Sequence, residues 1–334
     1  MEEYRQEIII SAVVVYMIFC VLTGLWAMRR THNASDFFIA GRGLGPIVVS
    51  LAIFSSTLSG FGFVGGPGLV YSIGVSSFWM VIISSIGYAL CFFLVSKRIR
   101  MIAELRDCIS LPDIVAARYG SESVRFMIAV TIVLGVMGYL ATQILAGTET
   151  FANVGIVTCV IISSAVLIFY CVTGGIIASV YTDVVQGTIM IVAGSLILLT
   201  AINVFEGGMQ EATSIILTDD AETIMPYGAA GIMASLGWFF VFGLGLAGQP
   251  HIITKLMMNK NINDNRSMLP LSLFGYVMAA LLWISIGIVM RAAVLDGRVE
   301  PLALPDDAAS VFLSIFTNPF LAGIVFAGLF AAIM

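Results

Sequence analysis

Charge is what this sequence has least of. Only 10% of its 334 residues are charged, against 60% hydrophobic. That balance excludes a soluble globular domain, in which about a quarter of the residues carry charge. Cysteine is sparse too. Cys20, Cys91, Cys108, Cys159 and Cys171 form no CxxC pair and four of them lie in apolar runs, so neither a disulfide framework nor a thiolate metal site is expected. The two histidines, His32 and His251, are far apart and lack ligand spacing. No GxxxxGK[ST] run occurs, which excludes a P-loop nucleotide site. No nucleophile–base pair stands out. Neither an enzyme, a cofactor, a transition-metal site nor a nucleic-acid partner is expected.

What the chain has is apolar length. Nine hydrophobic segments fall at roughly 7–28, 46–70, 75–96, 124–148, 154–173, 176–204, 229–254, 268–294 and 308–334. These are too many and too long for one soluble core, so the chain reads as all-α, a polytopic helical membrane protein in a lipid bilayer. With the N-terminus outside, the inner loops hold all but Arg5, Arg291 and Arg298 of the fifteen Lys and Arg residues. The positive-inside rule therefore sets the N-terminus outside. The start, MEEYRQE, lacks the basic leader of a signal peptide. Between Lys97 and Ser123 an inner helix is expected, with Ser110 or Asp113 as cap and Pro112 in its first turn.

The second segment is a poor continuous helix. Ser55, Ser56, Thr57 and Ser59 crowd its middle, and Gly60, Gly62, Gly65, Gly66, Pro67 and Gly68 follow. Each glycine weakens a helix interior by roughly 1 kcal/mol and a proline by about 3. In hydrocarbon such a break persists only where it is buried in protein or lines a wet cavity. The seventh segment is interrupted as well, by Gly243, Gly245, Gly248 and then Gln249-Pro250. The two interrupted segments, the second and the seventh, are five segments apart, an odd number, so the broken helices cross the bilayer in opposite directions. That is the mark of two inverted five-helix repeats with a site between them. The expected organisation is a single transporter domain over 1–334: an extra helix and loop over 1–45, a first repeat over 46–204, and the start of a second over 229–334.

Two polar positions inside apolar runs matter. Gln143 either hydrogen-bonds a neighbouring helix or faces a solute. Asp183 is the clearest acidic residue within any span, three residues before Gln186 and on the same helix face. A carboxylate at a helix centre costs about 2.5–3.5 kcal/mol on insertion scales. Such a residue is a functional candidate facing the interior, or else an interfacial Asp that caps the helix or pairs with a nearby cation.

These stretches resemble the sodium:solute symporter family, nearest its proline symporter branch. The resemblance rests on DFFIAGRGLG (36–45), GGPGLVYSIG (65–74), SLPDIVAARYG (110–120), TGGIIASVYTDVVQ (173–186), GLGLAGQPHI (243–252) and FAGLFAAIM (326–334). It implies a LeuT-type inverted-repeat bundle preceded by one extra helix, with the second repeat incomplete by at least two helices. It also implies a Na⁺ site using the carbonyls of Ser55, Leu58 and Ala332, with a hydroxyl pair following Met334. Asp183 matches the family's acidic residue tied to Na⁺ dependence or a further ion site. The solute is expected between the breaks, with Thr57, Ser59, Gln143, Phe242, Gln249 and Pro250 as candidates. The pattern departs from proline symporters where they carry Asp and this chain has Thr57. It departs again at Phe242 and Leu246, which stand for a Trp and a Tyr.

The expected activity is Na⁺-coupled symport of a small organic solute, an amino acid such as proline, across a bacterial inner membrane. One charge crossing 100 mV is worth about 2.3 kcal/mol. At 1.4 kcal/mol per tenfold, that sustains roughly 50-fold accumulation. Two rivals are a sensor, whose transporter-like region feeds a later signalling domain, and a channel. A channel needs polar faces along several helices, whereas polarity here gathers at two breaks and Asp183.

Overall fold

The computed structural model describes residues 4–150 and 156–333; the side chains of 144–150, 156–159 and 333 lie outside that description, Cys159 among them, as does Met334. Among the described residues the regular structure is helical, apart from one isolated bridge between Leu44 and Asn259. Six of its helices are long and apolar enough to cross a membrane: Arg5–Met28, Gly65–Leu105, Glu122–Gln143, Val160–Ile202, Gly231–Leu256 and Ile262–Leu295.

The principal helices in chain order begin with α1 (Arg5–Met28) and the two halves of the first interrupted segment, α2 (Pro46–Leu58) and α3 (Gly65–Ile73). Then come α4 (Phe78–Leu90) and α5 (Glu122–Thr150). The next, α6 (Ile156–Ile202), is divided at Gly175, whose φ of 57° and ψ of −150° no helix accommodates. That corner separates the fifth and sixth hydrophobic segments without a loop, because Phe37 packs where a Gly175 side chain would stand. The second interrupted segment supplies α7 (Gly231–Trp238) and α8 (Pro250–Leu256). The chain closes with α9 (Asn265–Leu295), α10 (Asp307–Phe316) and α11 (Pro319–Ile333).

The short helix Leu111–Tyr119 forms as expected. Ser110 caps it by accepting from Asp113 N–H, and its last turn closes on Gly120 in the left-handed region. The ninth segment, drawn from sequence as 308–334, is corrected. It is two helices, separated at Thr317–Asn318, where Asn318 caps α11 by accepting from Leu321 N–H and Pro319 takes its first position.

The main core forms around α9. Trp283, Ile286, Val289 and Met290 are fully buried there, packed with Phe54 of α2 and Val70 of α3. Small residues bring these backbones together: a side chain at Gly275 would collide with the Phe54 ring, and one at Gly287 with Val70. Where lipid offers helices no hydrophobic gain from pairing, such close backbone contact is what holds them. A second cluster joins Val13, Tyr16 and Cys20 of α1 to Tyr170 and Ala178 of α6 and to Ala327, Phe330 and Ala331 of α11.

Candidate functional site

The first interruption is a true break. Ser59 adopts φ 42° and ψ −170°, a region that side chains other than glycine rarely visit. The chain then makes one tight turn, Gly60–Gly62, before α3 begins at Gly65. Neighbours hold the opened backbone. Gly60 N–H donates to Gln143 Oε1 at 2.7 Å, and Tyr139 Oη donates to Ser56 O at 3.3 Å. Thr57 donates to Ile53 O and accepts from Tyr88 Oη at 2.8 Å. Ser55 is fully buried, and its hydroxyl has no hydrogen-bond partner.

The second interruption is gentler. After α7 the helix widens to π geometry over Phe239–Leu244, then leaves helical form at Gln249, with φ −63° and ψ 123°. Pro250, with no N–H to lose, opens α8.

Between the breaks lies a cavity of about 420 Å³. Thr57, Leu58 and Ser59 of the first break line it, with Gln143, Phe242 and Gln249. Five of the six expected solute residues are therefore gathered in one chamber. Pro250 is the exception: it lies beside a separate groove that also contains Ser110, Leu111 and Pro112. The chamber is large enough for an amino-acid-sized molecule. Its wall is aromatic, with Phe61, Tyr139, Tyr276 and Trp283. Among the described residues its one ionisable carboxylate is Asp306, and no Lys or Arg lines it. Two buried polar atoms on the lining residues, Gln249 Oε1 and Trp283 Nε1, have no hydrogen-bond partner. In an apolar site such groups are held for a ligand or a water.

Asp183 is not alone. Its Oδ2 accepts from Lys255 Nζ at 2.6 Å, with the Lys255 side chain 6% exposed and that of Asp183 15%. The same ammonium donates to Ala52 O at 3.1 Å and to Ser56 Oγ. The helix carrying Asp183 also touches the first break's helix where Gly187 lies against the Phe54 ring. So Asp183 is brought within one ammonium of Ser56, beside Ser55. Leu58 lines the cavity at the end of α2, while Ala332 sits near the end of α11, half-buried against the main core. The helix α11 meets the first break at Gly328, where Phe63 and Ile189 stand within 3.4 Å of an added side chain.

Lys255 is the residue that sequence reasoning missed. It reads there as one more basic residue after a span, whereas the structure buries it. Its signal was a cation five residues past Pro250 in a chain with one unpaired intramembrane carboxylate. Trp283 and Tyr139 were missed for another reason: an aromatic in an apolar run carries no mark of which face it occupies.

Three comparisons bear on this geometry. The profile of the sodium:solute symporter family matches residues 37–334. The chain is 30% identical to the sodium/proline symporter of Escherichia coli over 96% of its length and 65% of that protein. It is 28% identical to the osmoregulated proline transporter OpuE of Bacillus subtilis, over 98% of this chain and 67% of that one. The chain thus spans about two thirds of the length of the curated relatives it matches. A Na⁺-coupled sialic acid symporter, solved in a substrate-bound outward-open state, superposes with a TM-score of 0.84 at 18% identity, over 98% of this chain and 69% of that one.

Proposed function

From the premise that this chain belongs to the sodium:solute symporter family and has its LeuT-type, multi-pass membrane fold, we propose that the protein of which it is part couples Na⁺ entry to uptake of a small organic solute by alternating access. The observation that carries the reading is the chamber between the two helix breaks, with Gln249 Oε1 and Trp283 Nε1 left without partners. The family is one of transporters rather than enzymes, as the sequence led one to expect.

An amino acid such as proline is the solute this chamber suits best. The proline transporters among the relatives favour it, and the aromatic wall offers faces for the ring. Since no cation lines the chamber, a solute carboxylate is to be met by the N-terminus of α3 and by the coupling ion. The N–H groups at Gly65 and Gly66 open that helix. Ser55, Leu58, Ala332 and Asp183 remain the proposed Na⁺ ligands. Thr57, Ser59, Gln143, Phe242, Gln249 and Pro250 remain the proposed solute residues, Pro250 through the shape of the break. The two-repeat division at 46–204 and 229–334, the N-terminus outside and the bacterial inner membrane complete the proposal.

The test uses vesicles carrying the full-length protein, labelled proline first and then other amino acids, with and without an inward Na⁺ gradient. Uptake that requires the gradient and is lost in Gln249→Leu is the expected result. Uptake indifferent to the gradient would make the protein a facilitator. Binding of solute without any uptake would move the assignment to a sensor.

A further inference from the structure

Lys255 satisfies all three of its N–H bonds at one point. They reach the Asp183 carboxylate at 2.6 Å, the Ala52 carbonyl at 3.1 Å and the Ser56 hydroxyl. A carboxylate, a carbonyl and a hydroxyl converging on one centre are the oxygen ligands that a hard metal cation takes. Here an ammonium on a flexible stem fills the same place. These oxygens come from two helices, α2 and α6, and the ammonium comes from a third, α8. The Ser55 hydroxyl, fully buried and without a partner, lies one residue from Ser56.

We propose that Lys255 is a tethered cation occupying a monovalent-cation site formed by Asp183, Ala52 O and Ser56, and that Na⁺ or Li⁺ binds there only by displacing it. Two cations cannot share one carboxylate in a place so little exposed, because their repulsion is barely screened there. The exchange has a mechanical consequence. With the ammonium in place, the α8 half of the second break is tied to α2 of the first. With a metal cation in place, that tie is released while Asp183 stays neutralised. Na⁺ binding and movement of α8 are then one event. The inference deepens the symport reading and rests on it for the identity of the cation.

Radioactive Na⁺ binding and thermal unfolding, in NaCl, LiCl and choline chloride at equal ionic strength, test it on the purified full-length protein in nanodiscs. Lys255→Met vacates the site and leaves its carboxylate. Its half-saturating Na⁺ concentration is expected about tenfold below that of the unaltered protein, within the usual range of coupling between sites. Its melting temperature should rise with NaCl and LiCl over choline chloride, and rise more than in the unaltered protein. Lys255→Arg should stay close to the unaltered protein. In the double variant Asp183→Asn/Lys255→Met the gain should vanish. Should Lys255→Met fold only in NaCl or LiCl, that is the same prediction in stronger form. Equal Na⁺ affinity in Lys255→Met and the unaltered protein overturns the proposal. So does a gain that survives in the double variant, or a Lys255→Met protein that stays unfolded in every salt. The symport reading fails separately. Loss of gradient-driven uptake in the unaltered protein, with the Lys255→Met gain intact, would sink symport and leave the site.

Discussion

At the first interruption the backbone is forced through a φ of 42° at Ser59, and side chains from two other helices hold it open. At the second, no residue from Phe239 to Pro250 has a positive φ, and the departure from helix is a single turn of ψ at Gln249. One break is strained and clamped, the other relaxed and tethered. A strained backbone persists only where its surroundings over-determine it. The first break is therefore built as a fixed edge of the chamber. The second is set by Pro250 and tied by Lys255, with Leu246, Ile252 and Leu256 packed into the main core. Two glycine-rich interruptions thus differ in kind, one strained and clamped, the other relaxed and tethered.

Four substitutions sharpen this contrast or break it. The largest effect is expected from Asp183→Ala, which leaves the Lys255 ammonium buried without its carboxylate; removing one member of such a pair costs about 3–5 kcal/mol. Equilibrium unfolding in mixed micelles measures it, and a loss below about 1 kcal/mol, as for an exposed pair, would mean the tether is not there. Gln143→Leu acts on the clamped break. It strands Gly60 N–H in a buried place, at about 1–3 kcal/mol, whereas Gln143→Glu keeps the acceptor and much of the stability. Next, Ser59→Gly removes the strain at the positive φ and gives up a long bond, Phe61 N–H to Ser59 Oγ at 3.4 Å, and the hydroxyl's contact with Tyr139. A net gain of about 1 kcal/mol is expected, and no gain would show the break to be unstrained. The smallest effect belongs to Pro250→Ala, less than about 1 kcal/mol through the freedom of the unfolded chain. Its signature is faster amide exchange over 250–256 with the first break unchanged.

Much of this molecule was legible before its structure. Lipid tolerates only satisfied backbone, so helices announce themselves as long apolar runs, and the serine–glycine stretch at 55–68 pointed to a break in preference to a glycine-rich packing face. Ser110, Pro112 and Gly120 marked a short helix through the rules of its ends. The ninth segment misled because DAASVFLSIF is apolar enough to pass as part of a span, although Asn318-Pro319 already carried a cap and a first turn. Among the expected site residues, Thr57, Ser59, Gln143, Phe242 and Gln249 do share one cavity. The identity of the partner was what the sequence concealed. Asp183 and Lys255 are 72 residues apart, and nothing local to either names the other. The buried Arg100, whose Nε donates to Asn259 O at 3.0 Å, was likewise read only as a loop charge.

The seat of the first helix has a bearing on how the protein is made. The most apolar 18 residues within Arg5–Met28 have a mean hydropathy of 2.7, enough to rest in lipid alone. Its buried face, however, meets Tyr170 and Ala178, and then Ala327, Phe330 and Ala331. At roughly 5–20 residues per second of synthesis, those last contacts reach the membrane on the order of tens of seconds after the first helix. Arg5 also waits for Leu313 and Thr317, whose carbonyls it grips at 2.5 and 2.7 Å. Arg5–Met28 is thus made well before the residues it packs against, and its docking is finished only when Ala327, Phe330 and Ala331 have followed.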